Sequence, residues 1–466
     1  MRSRKEKKPR LIYLVFLVPF ILAYFSWAYF PVFASWLTTT VFSYSVPERV
    51  NGLWYLTARF FYTWYTFLAI GVTGVWVLAT MFVSRRQKRN RELHYPMVSI
   101  VVPAYNEEKN ISRCIDSLFK CTAEYNGLCE IIVVDDGSGD LTYEAAWAAI
   151  ALGRRKWPRV RAKVVRHSAN LGKDIAVKTG VDKTLGSIIA VVDADSWWMP
   201  KTLAKLVDHM LLNGKKAVTG YVHPSDGDSE LNPYVVLQQL EYSQGLGISR
   251  CAQSLGNDVL VVPGAIGLYD AETLRAILSE KDIHSVTEDL EITLEMHRRG
   301  ADVGYTNTAN SLTISPLSFS LLWNQRLRWF IGWLHNTLEI HSDLLFRKSW
   351  LTLFLWSCYI FEYFGAFADL AALTALPLLF WFAPDRILFL LNLLVFVPYG
   401  FLIGITSQAI ALKQAYKKHN YKSLLFYTPF YPILRLINVL ARLTSSAKYL
   451  LGDHGNWHDS ARHQHV

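Results

Sequence analysis

Ile188-Ile189-Ala190-Val191-Val192 runs directly into Asp193-Ala194-Asp195. Val and Ile favour a pleated strand. A run that is apolar at every position is buried on both faces, as in a parallel sheet covered by helices. Carboxylates at i and i+2 leaving such a strand project to the same side. Two carboxylates that close repel unless a cation lies between them. Hard oxygen ligands with open positions suit Mg2+ or Mn2+ bridging phosphates. The alternative reading is an acidic surface turn.

Working outward, β-rich runs at Val98 to Val102, Glu130 to Val134 and Val160 to Arg166 alternate with amphipathic stretches at Ile111 to Phe119 and Tyr143 to Leu152. That alternation predicts an α/β, Rossmann-like layer fold with a mostly parallel sheet, over one domain at 96–320. Ligands bind beyond the carboxyl ends of such strands. The residues there are Pro103-Ala104-Tyr105-Asn106-Glu107-Glu108, Asp135-Asp136-Gly137-Ser138-Gly139-Asp140 and the Asp193-Ala194-Asp195 turn. The second stretch also reads as a helix entry, with Ser138 or Asp140 as cap.

Three further groups carry candidate chemistry. Lys173, in Asn170-Leu171-Gly172-Lys173-Asp174, can reach a phosphate as a point charge or be a solvated lysine. Thr287-Glu288-Asp289 opens a helix. Ser285-Val286-Thr287-Glu288 reads as a capping box, and a carboxylate there can equally serve as a general base. In Gln325-Arg326-Leu327-Arg328-Trp329, helical spacing puts Gln325, Arg328 and Trp329 on one face. That face is a phosphate clamp with an aromatic platform, an interfacial helix, or both.

The flanks are apolar. Leu11 to Phe33, Phe60 to Val83, Leu351 to Phe382 and Ile387 to Leu412 each reach the roughly 20 residues a spanning helix needs. Leu424 to Ala441 is shorter and carries two prolines and Arg435, so spanning, re-entrant and interfacial placements stay open. The first stretch is too long for a signal-peptide core and reads as an uncleaved anchor. The expected divisions are 1–95 with two transmembrane helices, 96–320, interfacial helices at 321–350, a membrane region at 351–445 and a polar tail at 446–466.

Charge decides orientation and excludes some classes. The chain has 48 Lys and Arg against 38 Asp and Glu, a net charge of +10, with 52% hydrophobic residues, which excludes a disordered chain. The basic residues at 2–10 and 85–91 flank spans, so the N-terminus and the large middle segment are expected in the cytosol. The excess therefore reads as a topology signal with attraction to anionic lipid, not as nucleic-acid binding. The five cysteines show no metal spacing and imply no disulfide framework.

Taken in order, Pro103-Ala104-Tyr105-Asn106-Glu107, Asp135-Asp136, Asp193-Ala194-Asp195, Thr287-Glu288-Asp289 and Gln325-x-x-Arg328-Trp329 resemble the processive membrane-embedded family 2 glycosyltransferases, the group of cellulose, chitin and hyaluronan synthases. The resemblance covers about residues 96–335. Gly172 to Gly180, Val218-Thr219-Gly220, Glu241-Tyr242-Ser243 and the tail from Trp457 to Arg462 look most like the poly-β-1,6-N-acetylglucosamine synthases. Asp174 and Ser460-Ala461-Arg462 depart from that pattern.

The resemblance implies a GT-A catalytic domain on the cytosolic side of a multi-pass plasma-membrane protein. Tyr105, Glu107 and one of Asp135 or Asp136 would hold the nucleoside of a UDP-sugar. Asp193 and Asp195 would bind its diphosphate through Mg2+ or Mn2+, with Lys173 near. Asp289, beside Glu288, would be the base that activates the acceptor hydroxyl in an inverting displacement. Gln325 and Arg328 would hold the leaving diphosphate. Trp329 would stack the acceptor, with Thr287 and Gly264 shaping its pocket. The partners would be the donor, the growing polysaccharide and the bilayer, with room for a small membrane subunit. Two rivals stand beside this reading: a same-fold transferase adding one sugar to a lipid, and a non-catalytic membrane subunit.

Overall fold

Alternation of side chains splits the strands between two cores. The structure, a computed structural model, describes residues 94–227, 232–283, 285–381, 404–413 and 422–452, with Tyr24, Ala28, Phe60, Thr63, Arg386, Leu390 and Leu402 as isolated positions. Strand β1 (Val98–Ala104) and strand β2 (Cys129–Asp135) are buried at every position. Val98, Ile100 and Val102, with Ile131 and Val133, belong to the main apolar cluster, whereas Ile132 and Val134 join Ala176 in a second cluster. Neighbouring side chains on a strand point to opposite faces, so both faces of this sheet are covered.

Helix α1 (Ile111–Ala123) supplies the first cover. Its Ile111, Cys114, Ile115, Leu118 and Phe119 repeat at three- and four-residue steps and form the buried stripe. Helix α2 (Thr142–Lys156) packs beside it. After β3 (Arg161–Arg166), helix α3 (Lys173–Asp182) covers the opposite face against β1 and β2. Strand β4 (Ile188–Val191) then pairs parallel to β1, in register from Val98 with Ile188.

The remaining elements complete an eight-stranded sheet. They are β5 (Ser196–Trp198), α4 (Thr202–Asn213), β6 (Ala217–Ser225), α5 (Pro233–Gln244), α6 (Arg250–Ser254), β7 (Gly267–Asp270), α7 (Ala271–Glu280), α8 (Glu288–Arg298), β8 (Val303–Ile314) and α9 (Phe319–Leu334). The strand order is β3-β2-β1-β4-β7-β6-β8-β5. Strands β7 and β5 alone run against the others. The expected α/β fold with a mostly parallel, mixed sheet is what forms. Sheet direction changes between β4 and β7, and that change positions the site.

The chain divides into two compact units, one of Gln87–Leu355 with Thr444–Val466, the other of Met1–Arg86 with Trp356–Leu443. The first holds the sheet and α9. Towards the C-terminus a π-helical turn joins helix α10 (Trp350–Cys358) to α11 (Gly365–Trp381), followed later by α12 (Lys422–Phe426) and α13 (Tyr431–Leu450). Trp350–Ala371 is, among the described residues, the one helix long and apolar enough to cross a membrane. The stretches expected to span at 11–33, 60–83 and most of 387–412 lie outside the described residues. The expected fifth stretch is broken: a 3-10 turn at Thr428–Phe430 precedes α13. Glu362 pairs with Arg442 and Asp369 with Arg435, so both acidic residues of the third stretch face another helix.

Candidate active site

The site forms where the sheet changes direction. The Val192 amide still donates to Val101 of β1, while the next amide, Asp193, donates to the carbonyl of Gly264 at 2.9 Å. Gly264 precedes β7, the strand that runs opposite to β4. Asp193 thus stands at a switch point, where α/β sheets open a crevice.

Lys173, first residue of α3, reaches across that crevice. Its Nζ lies 2.7 Å from Asp193 Oδ1 and 2.5 Å from Glu288 Oε1. Partial burial works against its charge, but Asp193, Glu288 and Asp289 outweigh it and hold the ammonium well above its ordinary range. Burial also pushes Glu288 up, yet Lys173 and then Arg328 win and keep it below the usual carboxylate range. Its neighbour Asp289 goes the other way, up to about 6, through burial first and the Glu288 charge second. Two adjacent carboxylates are therefore set to opposite states, Glu288 held ionised and Asp289 raised.

Asp195 sits beyond Asp193 and accepts a hydrogen bond from Ser196 Oγ at 3.0 Å. Burial, then the charges of Asp193 and Glu107, push its carboxyl up to about 7. Burial takes Glu107 to about 7 as well, against a hydrogen bond from Asn110 and with Asp193 adding its charge. Such a set of carboxylates is short of positive charge. Among the described residues no three His, Cys, Asp or Glu side chains converge on a metal position. Asp193 and Asp195 offer hard oxygen donors of the kind a divalent ion combines with water and phosphate.

Residues 99–278 match the family model described as glycosyl transferase family 2. The chain carries a family 2 glycosyltransferase domain. It is 26% identical over 252 residues to an N-acetylglucosaminyltransferase of Sinorhizobium fredii, covering 52% of this chain and 59% of that one. A poly-β-1,6-N-acetyl-D-glucosamine synthase of Staphylococcus epidermidis is 23% identical over 379 residues, 77% of this chain and 86% of that protein. A β-monoglucosyldiacylglycerol synthase of Trichormus variabilis is 27% identical over 322 residues, 64% of each chain. The chain thus spans about three fifths of the Sinorhizobium protein and most of the staphylococcal one.

Other expected residues of the transferase domain have structural partners. Both Asp136 oxygens are engaged: Oδ1 meets His167 Nδ1 at 2.7 Å and the Leu171 amide at 3.0 Å, and Oδ2 meets the Gly172 amide at 2.9 Å. Asp136 therefore fixes the loop that delivers Lys173. Asp135 pairs with Arg166 at 3.0 Å and accepts from the Ser138 amide. A cavity of about 380 Å3 opens beside them, lined by Gly137, Ser138, Arg166, His167 and Ser168. Tyr105 is half-buried just past β1. The stretch does enter a helix, but Leu141 rather than Ser138 or Asp140 holds the capping position, while Asp140 Oδ1 accepts from the Thr142 amide that opens α2.

The capping-box reading of 285–288 differs from what forms. The Ser285 amide donates to Glu291 rather than Glu288, because Lys173 claims Glu288. The Thr287 hydroxyl receives Asn336 Nδ2 at 3.0 Å and lies 3.1 Å from Ser285 Oγ. A Cβ on Gly332 of α9 would lie 2.4 Å from Thr287 Oγ1, so glycine lets the helix press onto this loop.

On α9, Arg328 Nη1 donates to the Val286 carbonyl at 3.3 Å, and its charge reaches Glu288. Gln325 Oε1 is buried without a hydrogen-bond partner among the described residues. Arg326, between them in sequence, lies off the face that helical spacing singles out. Only 1% exposed, it pairs with Glu241 at 2.5 Å and stacks over Trp329 at 4.4 Å. Its signal was in the sequence: Glu241 in a motif already singled out and a second arginine beside Arg328.

Proposed function

We propose that the chain is a processive, inverting N-acetylglucosaminyltransferase. It takes UDP-N-acetylglucosamine as donor, builds a β-linked polysaccharide and passes it across the membrane. The observation that carries this reading is the pairing of states at α8. Asp289 is a carboxylate raised to about 6, next to Glu288, which Lys173 neutralises. The relatives that act on N-acetylglucosamine support the sugar. The Lys/Arg distribution and the apolar helix Trp350–Ala371 support a membrane protein with its catalytic domain in the cytosol.

In the proposed reaction, Asp289 accepts the proton of an acceptor hydroxyl as its oxygen attacks the anomeric carbon. The bond from that carbon to the diphosphate breaks, and UDP departs. Charge builds on the leaving phosphate, and fixed cations stabilise it most where water is excluded. Lys173 and Arg328 supply part of that charge. A divalent ion, Mg2+ or Mn2+, held by Asp193 and Asp195 would supply the rest. Tyr105, Glu107 and Asp135 bound the nucleoside side. Trp329, held by Arg326, offers the acceptor a stacking face.

The glycolipid synthase relative favours a second reading, transfer of one sugar to a lipid acceptor. One experiment separates the two. Full-length protein in lipid nanodiscs is given Mn2+ or Mg2+ with UDP-N-acetylglucosamine, UDP-glucose, UDP-glucuronate or UDP-galactose, beside Asp289→Asn. The proposal expects UDP release with the first donor, none from the variant, and a product of many sugars. A product one sugar longer than its acceptor supports the second reading, and silence with every donor overturns both.

A further inference from the structure

Lys173 fills a cation position between two carboxylates that come from opposite sides of the crevice. Asp193 follows β4 and Glu288 opens α8, and the ammonium lies 2.7 Å from one and 2.5 Å from the other. Asp195 and Glu107 lie close enough for the charge of Asp193 to act on both carboxyls. The backbone of Lys173 is fixed, because Asp136 ties down the two preceding amides. Its side chain is not enclosed, at 43% exposure. A pinned backbone with an open, flexible stem describes a charge that can change partner without moving the fold.

We propose that Lys173 is the resident counter-ion of Asp193, exchanged for a divalent cation only when that cation arrives with a nucleoside diphosphate. This rests on the donor reading above and extends it to the order in which metal and nucleotide bind. The argument is charge balance. In the empty site Lys173 is shared between Asp193 and Glu288 and balances one of their two charges. A divalent cation carrying the two negative charges of a sugar-linked diphosphate is neutral as a unit. When it enters, Asp193 passes to the metal and Lys173 passes to the phosphates, still beside Glu288. The net charge of these groups is the same before and after, because the entering unit is neutral. A metal ion alone must instead settle against an ammonium that shares its ligand, at close range and partly out of water, where like charges repel strongly. Lys173 therefore makes metal binding conditional on nucleotide, and by linkage makes nucleotide binding conditional on metal to the same degree.

The test is binding, not turnover. Free Mn2+ is measured by electron paramagnetic resonance as full-length protein is titrated, with and without UDP. Wild type is compared with Lys173→Met and Lys173→Gln, and thermal melts check that each variant folds. Coupling between sites in proteins is commonly about 5- to 150-fold. Wild type is expected to bind Mn2+ at least ~10-fold tighter with UDP present. Both neutral variants should bind Mn2+ alone about 5- to 10-fold tighter than wild type, and their UDP coupling should shrink by a matching factor. Variants that bind Mn2+ alone no tighter than wild type overturn the exchange and leave the donor reading standing. Wild type that takes up no Mn2+ even with UDP overturns the donor reading and the exchange with it.

Discussion

A methyl group on the Cα of Gly264 would lie 2.5 Å from Asp193 Oδ1, while the Asp193 amide donates to the Gly264 carbonyl at 2.9 Å. The two residues are locked together through backbone, so the carboxylate cannot give way without shifting the end of β4. Gly264→Ala is expected to turn Asp193 off its position and weaken Mn2+–UDP binding about tenfold, or ~1.4 kcal/mol. Calorimetric titration of UDP in the presence of Mn2+ measures it. Unaltered affinity would show that Asp193 does not carry the metal.

The pH dependence follows from Asp289. A base must be ionised to accept a proton, and this carboxyl is raised to about 6, by burial first and Glu288 second. Below that pH it is protonated and idle. Activity should therefore fall on the acid side with a midpoint near 6, and level off above it. Glu288→Gln removes a like charge and frees Lys173 to act on its neighbours. Both changes favour the ionised form of Asp289, so the acid limb should move to lower pH. A limb that moves up, or stays, contradicts the pairing of states argued here. Initial rates of UDP release across the pH range provide the reading.

Much of this fold was legible because its strands are short, apolar and alternate with amphipathic helices. Residues 98–104, 129–135 and 188–191 are strands where Val and Ile runs predicted them. The motif residues at strand ends converge because a parallel sheet brings its carboxyl ends to one edge. What sequence spacing could not give is which partner wins. Ser285 and Glu288 have capping-box spacing, yet Lys173, more than a hundred positions away, outcompetes the local bond with a charge. Asp136 has the look of a ligand-binding carboxylate, and three loop groups use both its oxygens. Arg326 lay unremarked between two motif residues because burial, which makes it matter, depends on α5 folding against α9.

The loop that leads into α8, and so to Asp289, is pinned by one side chain. Asn336 Nδ2 donates to Ser285 Oγ at 2.6 Å, to Thr287 Oγ1 at 3.0 Å and to the Gly332 carbonyl at 3.0 Å, and Asn336 is fully buried. Asn336→Ala strands these acceptors and opens a small void, at a cost of about 2–3 kcal/mol. Chemical denaturation should register that loss. Because Thr287 adjoins Glu288 and Asp289, the variant should also turn over more slowly at saturating donor, with donor KM little changed. A rise in KM with normal turnover would place the loop on the donor side instead.

Arg326 separates stability from acceptor recognition. Arg326→Met deletes a buried guanidinium and its ion pair with Glu241, a loss on the order of 3 kcal/mol. Adding Glu241→Gln removes the other charge of the pair, so the double variant should recover part of that stability, measured by denaturant midpoint. The stacking of the guanidinium over Trp329 at 4.4 Å is not recovered by the second substitution. If Trp329 needs that support to present its ring to an acceptor sugar, the double variant will fold well yet bind acceptor oligosaccharide more weakly. A stable double variant with wild-type acceptor affinity would mean that the Arg326–Glu241 pair only joins α9 to α5, and that Trp329 holds its own position.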